Sequence, residues 1–309
     1  PEKYRYYDYT GSKFSYTFFS HLVYSLGKLH LVGDLQYQVH DWNLVEKPIG
    51  HFEGHDITAK WDFFNPRLGF TYHIDQDLSV FGYAGIARKE PSDDQIIEGD
   101  NVYDTLRTAL PEKILDVEFG MNRTSEMRFL KVNLYYIEYE NEILSDIYDF
   151  EEAELDIETA DKTVHTGMEF ETGFTLNAAL SANINGTVSS NTFVSGIYDR
   201  KTLTNTPDIL LNASVSYNLT DDLEVFIHSQ HVGKQFINNR NDNDLRINSY
   251  SVLNLGAHYS WNGFNFNVKI NNALDELYAT YGYYDEDWGS YYWPGATRNY
   301  YFGVEYILK

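Results

Sequence analysis

The chain has 309 residues, no Cys, a formal net charge of −23 at pH 7, and 27 Tyr and 19 Phe against 7 Pro. The lack of thiols excludes a disulfide framework and thiolate metal sites, and the acidic field sets aside nucleic acid and anionic membrane surfaces as partners. No run approaches the ~18 apolar residues of a spanning helix, so this chain can cross a membrane only with strands closed into a barrel.

Alternation with period 2 is the dominant pattern. In chain order it predicts strands over 13–25, 29–41, 66–74, 78–88, 113–123, 128–140, 163–174, 178–190, 208–218, 223–232, 250–260, 264–271 and 298–308. In the sixth, Leu130, Val132, Leu134 and Tyr136 alternate with Lys131, Asn133 and Tyr135. In the ninth, Leu211, Ala213, Val215 and Tyr217 alternate with Asn212, Ser214, Ser216 and Asn218. In the twelfth, Phe264, Phe266, Val268 and Ile270 alternate with Asn265, Asn267, Lys269 and Asn271. A soluble sandwich alternates as well. What separates the two is strand length, about 9–13 residues here, which suits a tilted bilayer crossing.

The connectors point the same way. Short ones, such as Leu26-Gly27-Lys28, Asp75-Gln76-Asp77, Thr124-Ser125-Glu126, Thr220-Asp221-Asp222 and Trp261-Asn262-Gly263, alternate with long ones over 42–64, 89–111, 141–161, 192–206, 234–248 and 272–296. Short turns on one side and long loops on the other are the pattern of outer-membrane barrels, with the long loops extracellular. The count of about thirteen strands is odd, and closing a single-chain barrel with it would create a parallel seam. The expectation is therefore that further N-terminal strands of the same barrel lie outside these residues.

Several segments in fixed order resemble the C-terminal half of TonB-dependent receptors, in the branch that takes up iron complexes. These are Phe63-Phe64-Asn65-Pro66-Arg67-Leu68-Gly69-Phe70-Thr71-Tyr72; Ala87-Arg88-Lys89-Glu90-Pro91-Ser92-Asp93-Asp94; Leu110-Pro111-Glu112-Lys113 with Val117-Glu118-Phe119-Gly120; Asn133-Leu134-Tyr135-Tyr136; His165-Thr166-Gly167-Met168-Glu169-Phe170; and Val268-Lys269-Ile270-Asn271-Asn272-Ala273-Leu274-Asp275-Glu276-Leu277-Tyr278, which leads to Pro294-Gly295-Ala296-Thr297-Arg298-Asn299-Tyr300. The resemblance covers nearly all of 1–309 and implies an all-β, transmembrane antiparallel meander β-barrel of about 22 strands, of which this chain supplies about thirteen. It implies a plug domain and first strands outside the chain, an integral outer-membrane location, TonB as a partner through that N-terminal region, and contact with outer-membrane lipid. The implied activity is energised import of a scarce nutrient, with a ferric siderophore as the leading ligand and haem or cobalamin as others. The family departs from this chain at the end, where it usually closes on an aromatic residue and this chain reads Tyr306-Ile307-Leu308-Lys309.

Candidate ligand contacts fall in the long connectors. Tyr281, Tyr283, Tyr284, Trp288, Tyr291, Tyr292 and Trp293 could stack on a flat or sugar-like ligand, or pack on one another and on the interfacial girdle. His51 and His55, with flanking acids, could hold haem iron or a divalent metal, or be ordinary exposed histidines. Arg88, at a strand mouth, suits an anionic group gripped through two hydrogen bonds. Asp285-Glu286-Asp287 and Glu151-Glu152 are solvated loop tips or divalent-cation sites. His228 and His258, with Glu118, Glu138 and Glu224, fall on the polar parity and should line the lumen as satisfied polar groups. Neither a nucleophile elbow, a Walker motif nor a dinucleotide fingerprint occurs, so the sequence predicts no enzyme and calls for no cofactor. A passive porin-like or structural barrel is the alternative reading.

Overall fold

The structure, a computed structural model, describes residues 8–49, 54, 56–92, 110–149, 154–177 and 179–307. Strands account for its regular structure, and no helix forms among the described residues. The strands are β1 (Tyr9–Leu26), β2 (Leu29–Glu46), β3 (Asp56–His73), β4 (Leu78–Lys89), β5 (Glu112–Ser125), β6 (Arg128–Asp149), β7 (Glu154–Thr175), β8 (Leu180–Phe193), β9 (Ile209–Thr220), β10 (Leu223–Val232), β11 (Gln235–Phe236), β12 (Arg246–Ile247), β13 (Tyr250–Trp261), β14 (Phe264–Asn271), β15 (Ala279–Asp285), β16 (Gly289–Pro294) and β17 (Asn299–Tyr306). Thirteen form one sheet in the order β1-β2-β3-β4-β5-β6-β7-β8-β9-β10-β13-β14-β17, so all thirteen expected strands are present as an antiparallel meander. The pairs β11–β12 and β15–β16 are two further small sheets inside long connectors, and the alternation did not predict them.

The chain divides into two compact units, residues 1–70, 83–117 and 137–163 in one, and 71–82, 118–136 and 164–309 in the other. In the first unit, β1 and β2 pair along their whole length. Tyr16↔Val39, Phe18↔Tyr37, Ser20↔Leu35, Leu22↔Gly33 and Tyr24↔Leu31 lie on one face. Ser15↔His40, Thr17↔Gln38, His21↔Asp34 and Ser25↔His30 lie on the other. Period 2 thus becomes an apolar and a polar face, with Phe19 and the Val23↔Val32 pair as apolar exceptions on the polar side.

The connectors expected over 42–64 and 141–161 are largely strand instead. β2 runs on to Glu46, β3 starts at Asp56, and β6 and β7 each extend to 22 residues. The added pieces carry their own support. Trp42 and Ile57 are buried together, with Leu44, Ala59 and Trp61 against them, and Lys60 meets Asp41 at 3.2 Å. Further on, Lys162 pairs with Glu138 at 2.8 Å, and the Asn141 amide donates to the Pro111 carbonyl at 3.0 Å. Alternation continues past the hydrophobic band in charged residues, where the sequence pattern looks like loop.

In the second unit the same division holds strand after strand. On one face Ile227 stands between Val215 and Leu255, and Val268 between Ala257 and Phe302. On the other, His228 stands between Ser214 and Asn254, and Asn267 between His258 and Gly303. Turn chemistry fixes the register. Asn262 and Gly263 both have positive φ, 47° and 83°, as a two-residue hairpin turn between right-twisted strands demands. The Asp75 carboxylate accepts from the Asp77 and Leu78 amides at 2.8 Å each, closing the β3–β4 turn.

Candidate ligand-contact hairpin in the outer loops

Seven of the candidate residues come together in one element. In β15–β16 the register is Tyr281↔Trp293, Gly282↔Tyr292, Tyr283↔Tyr291 and Tyr284↔Ser290. Alternation therefore sends Tyr281, Tyr283, Tyr291 and Trp293 to one face. Tyr283 and Tyr291 stack with centroids 4.8 Å apart and planes 8° from parallel. Tyr281 meets Trp293 edge-on at 5.2 Å, and Trp293 also lies 5.8 Å from Tyr283. Trp293 is 48% exposed and Tyr281 42%, so this ladder presents ring surface to the outside. Trp288, 67% exposed, stands at the hairpin tip.

The opposite face is anchored. Val232, Ile237, Ile247, Tyr250 and Val252 form a buried cluster, against which Leu245, Tyr278, Ala279 and Tyr284 pack. Tyr250 and Tyr278 stack at 4.4 Å. Gly282 lies so close to this cluster that a Cβ there would meet Ile237 Cγ2 at 2.9 Å and the Tyr291 carbonyl at 3.0 Å. The Asn205 side chain holds the same glycine, donating to the Gly282 carbonyl at 2.9 Å and accepting from its amide at 3.3 Å. Asn241 donates to the Thr202 carbonyl at 2.8 Å and accepts from the Thr202 amide at 2.7 Å. At the base, buried Asn272 donates to the carbonyls of Glu276 and Ala296 at 2.9 and 3.0 Å. Three long connectors are thereby fastened together, and the aromatic ladder stands on a preorganised support.

The acidic run at the tip has structural employment. Asp285 accepts from the Asp287 and Trp288 amides at 2.8 and 2.7 Å, and Glu286 pairs with Arg240 at 2.7 Å. Among the described residues no group of three or more His, Asp or Glu is placed to hold a metal ion. Burial of the ring, then the neighbouring Tyr291 and Asp285, hold the Tyr283 hydroxyl above the usual phenol range. It is a neutral hydrogen-bonding group at physiological pH.

Arg88 belongs to the first unit, where its guanidinium donates to the Phe64 carbonyl at 2.5 Å. His51, His55 and Glu151-Glu152 lie outside the described residues. Four of the polar-parity groups are partnered: His228 with Asn254 at 3.4 Å, His258 with Asn267 and stacked on Phe226, Glu118 with Asn133 at 2.7 Å, and Glu138 with Lys162 at 2.8 Å. Asn205 and Asn241, which hold the hairpin and its neighbours in place, were not singled out by sequence reasoning. Their positive φ, 54° and 58°, is the kind of backbone Asn tolerates, but nothing in sequence says what their side chains reach.

A long antiparallel meander with one apolar face, one polar face, short turns on one side and fastened long loops on the other has the pattern of an outer-membrane β-barrel. Residues 1–273 match the family described as TonB dependent receptor-like, beta-barrel. The chain belongs to the TonB-dependent receptor family, whose members are integral proteins of the bacterial outer membrane. Among solved structures it is similar to the ferric yersiniabactin uptake receptor FyuA from Yersinia pestis, with 20% identity and a TM-score of 0.74 over 97% of this chain and 46% of that one. It is also similar to the siderophore receptor PiuA from Acinetobacter baumannii, with 14% identity and a TM-score of 0.77 over 97% and 44%. The ferric citrate transporter FecA gives 14% and 0.76 over 96% and 46%. At these identities the likeness is one of fold, and the chain spans under half the length of those proteins. No curated protein sequence matches it. The family and its structural neighbours are transport receptors rather than enzymes.

Proposed function

We propose that residues 1–309 are the C-terminal barrel portion of an importer that draws a scarce nutrient across the outer membrane, driven through TonB. The plug and first strands belong to the same protein outside these residues, and TonB engages that N-terminal region. The observation that carries the reading is the aromatic ladder Tyr281–Trp293–Tyr283–Tyr291, exposed on one face and fastened through Asn205 and Gly282 on the other. A rigid ring platform loses little entropy when a flat or ring-bearing ligand settles on it. A ferric siderophore is the ligand class favoured by the iron-branch resemblance and by the names of the receptors FyuA and PiuA, with haem and cobalamin as other ring-bearing ligands. Arg88, His51 and His55 are further proposed contacts for an anionic or iron-bearing ligand.

The test is binding of ferric catecholate, ferric hydroxamate and haem probes to the full-length receptor, with and without Tyr283→Ala and Trp293→Ala together. Removing two stacking rings is expected to weaken the preferred probe by about tenfold, from roughly 0.5–1.5 kcal/mol per ring contact. Equal affinity in the doubly substituted receptor would remove the hairpin from the site.

A further inference from the structure

The apolar face has a charged feature at its short-turn end. On β5, Val117, Phe119 and Met121 share a parity with Arg123. On β6, Arg128 opens the row Leu130, Val132, Leu134 and Tyr136. The hairpin joining them is tight, with the Ser125 hydroxyl donating to the Arg128 carbonyl at 3.1 Å. On the other side the Thr175 amide donates to the Met127 carbonyl at 2.8 Å, and the Thr172 hydroxyl to the Phe129 carbonyl at 2.9 Å, which sets β7 beside β6. Across the three strands, therefore, Arg123, Leu130 and Thr172 form one row and Arg128 and Phe174 the next, all on the apolar face.

These residues line a groove of about 480 Å³, together with Phe129 and Gly173. On the opposite face Gly173 lies against the Phe129 ring, which a Cβ would meet at 2.5 Å. Neither guanidinium meets a carboxylate among the described residues, although the chain carries 46 acidic residues and Glu126 sits in the intervening turn. Two cations bordering an apolar groove, at the edge of a lipid-facing wall, complement a molecule with an anionic head and an acyl tail. The short-turn side of such a wall is periplasmic, where the membrane leaflet is glycerophospholipid.

We propose that this groove is a binding site for an anionic glycerophospholipid of the periplasmic leaflet. Arg123 and Arg128 hold the phosphodiester through charge-assisted hydrogen bonds, and one acyl chain lies along Leu130 and Phe174. This reverses, at one place, the expectation drawn from the net charge: a field of −23 describes the chain as a whole, whereas a headgroup within a few ångströms meets only its immediate neighbours. The inference needs the outer-membrane location but not the identity of the imported ligand.

The test is native mass spectrometry of the full-length receptor, delipidated and then offered phosphatidylglycerol, phosphatidylcholine or inorganic phosphate. Wild type is expected to retain phosphatidylglycerol in preference to phosphatidylcholine, with no competition from millimolar phosphate. Arg123→Gln and Arg128→Gln should each reduce that retention about fivefold, and Arg128→Lys should restore part of it. Equal retention of the two lipids by wild type would overturn the proposal without any variant being needed. So would unchanged retention in a glutamine variant that still migrates as a folded barrel, or displacement of the lipid by phosphate alone.

Discussion

At the residue scale, the outer-loop assembly depends on a few side chains whose value lies in what they reach. Asn205 spans 77 positions of sequence to bond both backbone groups of Gly282. Asn205→Ala leaves those groups without their partner, at a cost of about 1–3 kcal/mol. The expected outcome is faster hydrogen exchange across 279–294 with unchanged exchange in β9 and β10; uniform protection in both proteins would show that the packing cluster alone holds the hairpin. Glu90 gives a pH-dependent case in the first unit. Burial pushes its carboxyl up, but the Lys13 ammonium, its backbone hydrogen bond and His40 outweigh that, so it sits below the usual range. A carboxyl lowered in the folded state adds stability above its unfolded pKa of about 4.3 and gives it up as pH falls through the folded value. Acidification below about pH 4.5 should therefore destabilise wild type more than Glu90→Gln, read as the shift in thermal midpoint with pH. Parallel pH profiles for the two proteins would contradict this.

At the element scale, the strand faces make opposite demands. Val268 is on the apolar face between Ala257 and Phe302, while Ser216 is on the polar face opposite Phe226. Val268→Arg should cost about 2–4 kcal/mol in refolding into vesicles if it lies near the bilayer midplane, whereas Ser216→Arg should change stability by less than about 1 kcal/mol. Similar costs at both positions would contradict the assignment of faces. This division was legible in sequence because strand parity is local: thirteen alternating runs and turn formers such as Asn262-Gly263 locate the strands with no knowledge of neighbours. The ends of β6 and β7 were not legible, because beyond the membrane the alternation is written in charge and its support comes from pairs such as Lys162–Glu138 on the neighbouring strand. The β15–β16 hairpin was legible only as an aromatic-rich run. Its pairing depends on Gly282 and Asn205, a contact no local pattern encodes.

At the scale of the whole molecule, the two faces and the fastened loops assign work to different regions of one wall. In the proposed importer, the apolar face and the short-turn arginines meet lipid, the polar face, rich in Asn, Ser and His, lines the path, and the aromatic hairpin meets the ligand. Family membership adds what geometry alone does not, the dependence on TonB, and the proposed importer joins that to the aromatic ladder. The most direct measurement is uptake of a radiolabelled ferric siderophore by cells whose only receptor for it is the full-length protein, with TonB present and with TonB deleted. The account predicts uptake that saturates and vanishes without TonB. Uptake that continues without TonB and rises linearly with concentration would contradict it, and would make this wall part of a passive pore.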